Sequence, residues 1–236
     1  MIQPAVADVR IPRANAVILV RHGRTALNAD GRIRGRLDPE LDHEGRREVS
    51  RLAAFLADKN IVRVLASPLT RAQQTARMIV DRHGGSVAEA GVRTAAGLSD
   101  RDYGSWSGHR EAELIDHYGS LDRVPDVEPS ASVSRRARRV LEDQRPLLGE
   151  GCVVLVSHDA VNRTLLADLL QGTDDGPIEQ HTACWNLILL EPSRWRPVAV
   201  NRYRWAESDR VSTWSTSDEQ GEDTADAVIS PPQTTR

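Results

Sequence analysis

Two unbroken apolar runs of strand length, Ala16-Val17-Ile18-Leu19-Val20 and Cys152-Val153-Val154-Leu155-Val156, constrain this chain more than any other feature. A run without polar alternation belongs to a strand covered on both faces. Each run stops at a polar triplet, Arg21-His22-Gly23 in the first case and Ser157-His158-Asp159 in the second. A third short run, 62–66, ends in Ser67-Pro68-Leu69-Thr70-Arg71. Burying an unpaired guanidinium or imidazolium is costly, so these side chains must emerge at strand ends or meet an anion there.

The segments between the runs read as helices. After a loop rich in Gly, Arg and Asp through Pro39, Asp42-His43-Glu44-Gly45 opens a helix with Val49, Leu52, Ala53 and Leu56 at three- and four-residue spacing. Residues 70–80 carry Ala72, Ala76, Met78 and Ile79 after Pro68, a position where a missing N–H is tolerated. The pattern predicts a short strand over 87–92, a polar loop over 98–108, helices over 111–118 and 134–148 on either side of a Pro-containing linker at 124–129, and a helix over 160–170. Apolar stretches at 184–190 and 197–203 complete a sheet. Strands alternating with helices point to an α/β three-layer sandwich, a mostly parallel sheet with helices on both faces.

The chain of 236 residues suits one sizeable core. Residues 1–15, with Pro4 and Pro12 and no periodicity, are expected to form a flexible arm. Residues 16–205 form the expected catalytic domain, with a helical cap over 109–145. Residues 206–236 carry seven acidic side chains against Arg210 and Arg236, with too little apolar content to fold, so a disordered acidic tail is expected. The formal net charge is −3, and with the tail set aside the body is mildly basic. No Arg-rich block interleaved with aromatics suggests a nucleic-acid groove. No continuous apolar stretch suggests a leader or a membrane span. Two cysteines, Cys152 and Cys184, are too few for a disulfide scaffold, and reduced thiols fit a cytoplasmic protein.

In open α/β sheets ligands bind beyond the carboxyl ends of the strands. Parallel strands bring Arg21-His22, Ser67–Arg71 and Ser157-His158 to one sheet edge. Two imidazoles and two guanidiniums then converge, a cluster that calls for an anion, and planar Arg forks match phosphate oxygens. The histidines lack His-x-x-x-His or Cys-rich metal spacing, and no glycine-rich nucleotide loop is present. The geometry predicts a phosphoryl-binding pocket, and neither a metal nor a cofactor is expected.

The run Arg21-His22-Gly23-Arg24-Thr25-Ala26-Leu27-Asn28 resembles the R-H-G-x-T-x-x-N signature of the histidine phosphatase superfamily, which includes phosphoglycerate mutases. Ser67-Pro68-Leu69-Thr70-Arg71-Ala72-Gln73-Gln74-Thr75-Ala76 is similar to its second block and Leu155-Val156-Ser157-His158 to its last. Gly35, Asp38, Leu41 and Gly45 fit the stretch after the first block. Three blocks in register over about residues 16–205 make the resemblance specific. It implies a phosphoglycerate mutase-like fold and a metal-independent phosphomonoester hydrolase in which His22 takes the phosphoryl group. By the same resemblance Arg21, Arg71 and His158 hold the phosphoryl oxygens, Gly23 backbone fixes the His22 tautomer, and Asn28 adds a neutral donor beside Thr25. Arg34 and Arg36, in the following loop, are within reach of a substrate or of solvent.

The family's general acid, usually Glu, lies in a loop resembling Leu98-Ser99-Asp100-Arg101-Asp102-Tyr103-Gly104-Ser105-Trp106-Ser107-Gly108. The register puts Asp100 in its place, one methylene shorter, with Asp102 as rival. Asp159 follows the second histidine where many members have Gly; it reads as a first-turn carboxylate and as an alternative acid. His109 and His181 are expected near the pocket rim, and Trp106 and Trp185 are expected to pack near the entrance. A phosphoglycerate mutase ranks below the hydrolase, because 101–157 is short for a lid that retains a bisphosphate. A non-catalytic phosphate-binding module is the remaining alternative. The substrate is expected to be a small phosphomonoester or a phosphoprotein, with the oligomeric state open between monomer and dimer.

Overall fold

The computed structural model describes residues 9–170 and 178–203. Six strands form one sheet in the order β3-β2-β4-β1-β5-β6, namely β1 Ala16–Arg21, β2 Ile61–Ala66, β3 Val92–Thr94, β4 Cys152–Ser157, β5 Trp185–Leu190 and β6 Trp195–Arg202. The four central and left-hand strands are mutually parallel, and β5 and β6 add on as an antiparallel edge. The helices are α1 Ala26–Ala29, α2 His43–Leu56, α3 Thr70–His83, α4 Gly85–Ala90, α5 Glu111–Tyr118, α6 Ser130–Glu142 and α7 Asp159–Leu169.

Strand alternation sorts the core into two layers. Ala16, Ile18 and Val20 of β1 face one side with Val49, Leu52 and Leu56 of α2 and Ala72, Ala76 and Ile79 of α3. Val17 and Leu19 face the other with Val133, Ala137 and Leu141 of α6 and Val161, Leu165 and Leu166 of α7. Every residue of β4 is buried, as an apolar run covered on both faces requires. A third, small cluster of Ile33, Tyr103, Leu114, Leu121 and Val124 holds the segment around α5 together.

The structure corrects several expectations. The strand expected over 87–92 is helix α4 followed by the three-residue β3; only Val87 of that helix is buried, so its sparse apolar content carried no period. The helix expected over 134–148 begins at Ser130 and ends at Glu142, with a short 3-10 turn over Arg145–Leu147, where Pro146 removes a backbone donor. The cap expected over 109–145 is divided, because α6 packs in the main core while α5 and the turn at Leu121–Arg123 belong to the small cluster. Val9 and Ile11, in the expected arm, pack against the first core layer. The expected tail at 206–236 lies outside the described residues. Among the described residues no helix is long and apolar enough to cross a membrane.

Candidate active site

Register brings the polar strand ends together. β1 pairs with β4 so that Arg21 stands opposite Ser157, and β4 pairs with β2 so that Val156 stands opposite Ala66. The next residues, His22, His158 and Ser67, therefore leave the sheet side by side. The His22 and His158 rings lie 5.1 Å apart, centroid to centroid. His158 Nε2 is 2.8 Å from Ser67 Oγ.

His22 is fully buried, and its Nδ1 donates to the Gly23 carbonyl at 2.6 Å. A carbonyl can only accept, so the hydrogen sits on Nδ1 and the lone pair on Nε2. That lone pair accepts from Arg71 Nε at 3.2 Å. Burial first, then the nearby charge of Arg71, holds His22 well below the usual imidazole range. Burial and the charges of Arg71 and Arg34 do the same to His158. Both shifts favour the neutral ring. Close packing beside His22 depends on Gly23, where a Cβ would lie 2.6 Å from Val49 Cγ2 and 2.7 Å from the Gly45 carbonyl oxygen.

Arg71, the largest fully buried side chain, enters from the first turn of α3. Its Nη1 donates to the Leu37 carbonyl at 2.7 Å, and its Nη2 donates to Gly35 O at 3.1 Å and Asp100 Oδ2 at 2.9 Å. Asp100 is buried beside it, with Oδ1 accepting from Arg101 N at 2.9 Å. His158 Nδ1 stands 3.7 Å from Asp100 Oδ2 and is a buried nitrogen with no hydrogen-bond partner. The expected surplus of positive charge is therefore answered within the protein: two neutral rings, one carboxylate on Arg71 and a second on Arg21. Burial lowers Arg21 from its ordinary value, opposed by Asp159, whose Oδ1 lies 4.0 Å from Nη1. Arg21 also donates to the Gln180 carbonyl.

Arg21, Asn28, Arg34, Asp159, Gln180 and Thr182 line a cavity of about 540 Å³ at this sheet edge. Thr25 caps α1, its N–H and hydroxyl both donating to Asn28 Oδ1, so Asn28 keeps its amide hydrogens for another acceptor. Arg34 reaches the Arg32 carbonyl at 3.1 Å while its buried Nε has no hydrogen-bond partner. Asp159 occupies the first turn of α7 and also pairs with Arg163 at 3.4 Å.

Of the other expected residues, Asp102, His109, Trp106 and Trp185 stand elsewhere and His181 does not. Asp102 is half-exposed, accepts from Gly104 N in a turn and faces Arg36 at 3.8 Å on the surface. His109 is exposed against Trp106, and Trp106 packs on the small cluster. Trp185 is buried in the core against Phe55, away from any entrance. His181 lines the cavity, stacked on Tyr203.

Three contributors escape a reading of the sequence. Ser67 orients His158. Gln180, held through Asn186 to the Leu19 carbonyl, presents its backbone to Arg21; the polar Asn186 within an apolar strand was the signal. Arg136 of α6 donates to the carbonyls of Gly97 and Asp100 and is itself paired with Glu128 at 2.9 Å. It fixes the loop that carries Asp100, and nothing distinguishes it among the arginines of its helix.

Fold and site together define a class, an α/β enzyme with two neutral histidines and two arginines gathered at the carboxyl edge of its sheet. The model of the histidine phosphatase superfamily (branch 1) matches residues 17–203, and the chain belongs to that superfamily. Phosphoserine phosphatase 1 of Hydrogenobacter thermophilus is 31% identical over 168 residues, covering 67% of this chain and 77% of that protein. A probable phosphoglycerate mutase GpmB of an Enterobacter species is 32% identical over 166 residues, covering 65% and 74%. Among solved structures, a mycobacterial glucosyl-3-phosphoglycerate phosphatase complexed with VO3 superposes with a TM-score of 0.69 at 26% identity, covering 80% of this chain and 99% of that one. The chain is a histidine phosphatase, of a family whose chemistry passes through a phosphohistidine.

Proposed function

We propose that the chain hydrolyses small-molecule phosphomonoesters with His22 as nucleophile and Asp100 as general acid. The observation that carries this reading is the neutral His22, hydrogen on Nδ1 and lone pair on Nε2, beside Arg71 and Asp100. Phosphate oxygens take over the forks of Arg71 and Arg21, the free nitrogen of His158 and the Asn28 amide. Once phosphate takes its place on Arg71, Asp100 accepts the proton that a monoanionic substrate carries. His22 Nε2 attacks phosphorus, the P–O bond to the alcohol breaks, and Asp100 passes that proton to the departing oxygen. Water then attacks the phosphohistidine, gives its proton to Asp100 and releases inorganic phosphate. The donors aim at charge that spreads over the equatorial oxygens in each transition state.

Asp100 is favoured over Asp159 because it touches Arg71 and stands nearest His158, whereas Asp159 is engaged by Arg21 and Arg163. Hydrolysis is favoured over mutase action because the stretch 101–157 is short for a lid that retains a bisphosphate. Rapid quenching with labelled substrate tests the reading: an acid-labile phosphoenzyme is expected in the native protein and absent in His22→Ala. A native enzyme that turns over without such an intermediate refutes it.

A further inference from the structure

The cationic cavity does not end at the phosphate-binding side chains. Glu111 and Arg163 form part of its wall and also part of the wall of a second cavity of about 520 Å³. The second cavity runs along α7, with Ala160, Thr164 and Ala167 on one side and Ile115, Leu121 and Ile178 on the others. Apolar atoms make up most of its wall, which also includes Arg101, Asp122, Ser120 and Ser130. Ile115 is 42% exposed, one of two large apolar side chains so exposed among the described residues, the other being Leu37. The exposed surface of Ile115 forms part of the wall of this groove, where an apolar ligand could cover it.

We infer that the groove along α7 holds the alcohol of the substrate, and that the enzyme prefers phosphomonoesters of extended amphipathic alcohols over short phosphorylated acids. The inference rests on the proposed catalytic reading only in assigning the phosphate to the cationic end. Near phosphorus the alcohol meets Glu111 and Arg163, opposite charges that hydroxyl groups can bridge. Farther on it meets the apolar wall of Ile115, Leu121 and Ile178. A phosphoserine or a phosphoglycerate has no apolar tail to lay on that wall.

Calorimetric titration of the full chain with n-alkylphosphonates from methyl to octyl reads the groove without requiring turnover. Each methylene that enters an apolar site strengthens binding by about fourfold. The Kd is expected to fall at least tenfold between ethyl and octyl. Ala167→Trp, at an exposed helix position that tolerates a large side chain, should flatten the series while leaving methylphosphonate binding unchanged. Ile115→Asp should do the same by charging the wall. A native series that stays flat overturns the inference, as does an undiminished gain in both variants. Phosphoenzyme labelling separates the two readings: a flat series with labelled His22 fails the groove alone, and a rising series without labelling fails the catalytic assignment alone.

Discussion

Asp100→Asn separates the two duties proposed for this carboxylate, pairing with Arg71 and protonating the leaving group. Oδ2 stands 2.9 Å from Arg71 Nη2 among buried side chains, while Oδ1 accepts from the backbone of Arg101. Asparagine can still accept from one of these donors, and Arg71 keeps the carbonyls of Gly35 and Leu37, so the guanidinium loses its counter-charge but not its hydrogen bonds. A hydrogen bond to a charged group is worth about 1.5–3 kcal/mol, which for a chain of this size lowers Tm by about 3–12 °C. Activity should divide by leaving group. Loss of a positioned acid costs about 10²–10⁴ in rate when the alcohol is a poor leaving group. With p-nitrophenyl phosphate, whose phenolate departs without a proton, the loss should be small. Inorganic phosphate should inhibit the variant more strongly, since Arg71 no longer shares its fork with a carboxylate. The assay is kcat/KM across phosphate esters of graded alcohol acidity. An equal loss across that series would show that Asp100 only positions Arg71. A leaving-group-dependent loss in Asp159→Asn instead would move the acid to α7.

Acid should destabilise this fold in a way that reports on its neutral histidines. His22 and His158 hold protons less readily in the native state than in the unfolded chain, where a histidine titrates near pH 6.5. The unfolded state therefore binds more protons below that pH, and stability falls as pH drops through 6.5 toward the depressed native values. The slope reaches about 1.4 kcal/mol per pH unit for each histidine. Urea unfolding at pH 7.5, 6.5 and 5.5 should show a shallower acid loss in His22→Asn than in the native chain; parallel slopes would contradict a buried neutral His22. Arg136→Ala frees the carbonyls of Gly97 and Asp100 and should lower kcat about tenfold or more by loosening the acid, an effect of misplacement rather than lost chemistry. That loss should be largest for poor leaving groups, and a uniform loss would mean that Arg136 serves stability alone.

The central strands and most of the site were legible in the sequence because their signals are local. Apolar runs without alternation mark strands covered on both faces, and the polar residues ending those runs can only emerge at the sheet edge. Helix α4 was misread for the opposite reason: it buries a single apolar side chain, so no period could show. Trp185 was expected at an entrance and lies in the core, because composition does not say which face of its strand is covered. The sequence by itself determined that two histidines and two arginines stand after strands and that phosphate chemistry follows from them. Only the tertiary structure decided how that charge is balanced. Strand register sets His22 beside His158, burial keeps both rings neutral, and Asp100 and Arg136, distant in the chain, reach Arg71 and the acid loop through packing that no local pattern encodes.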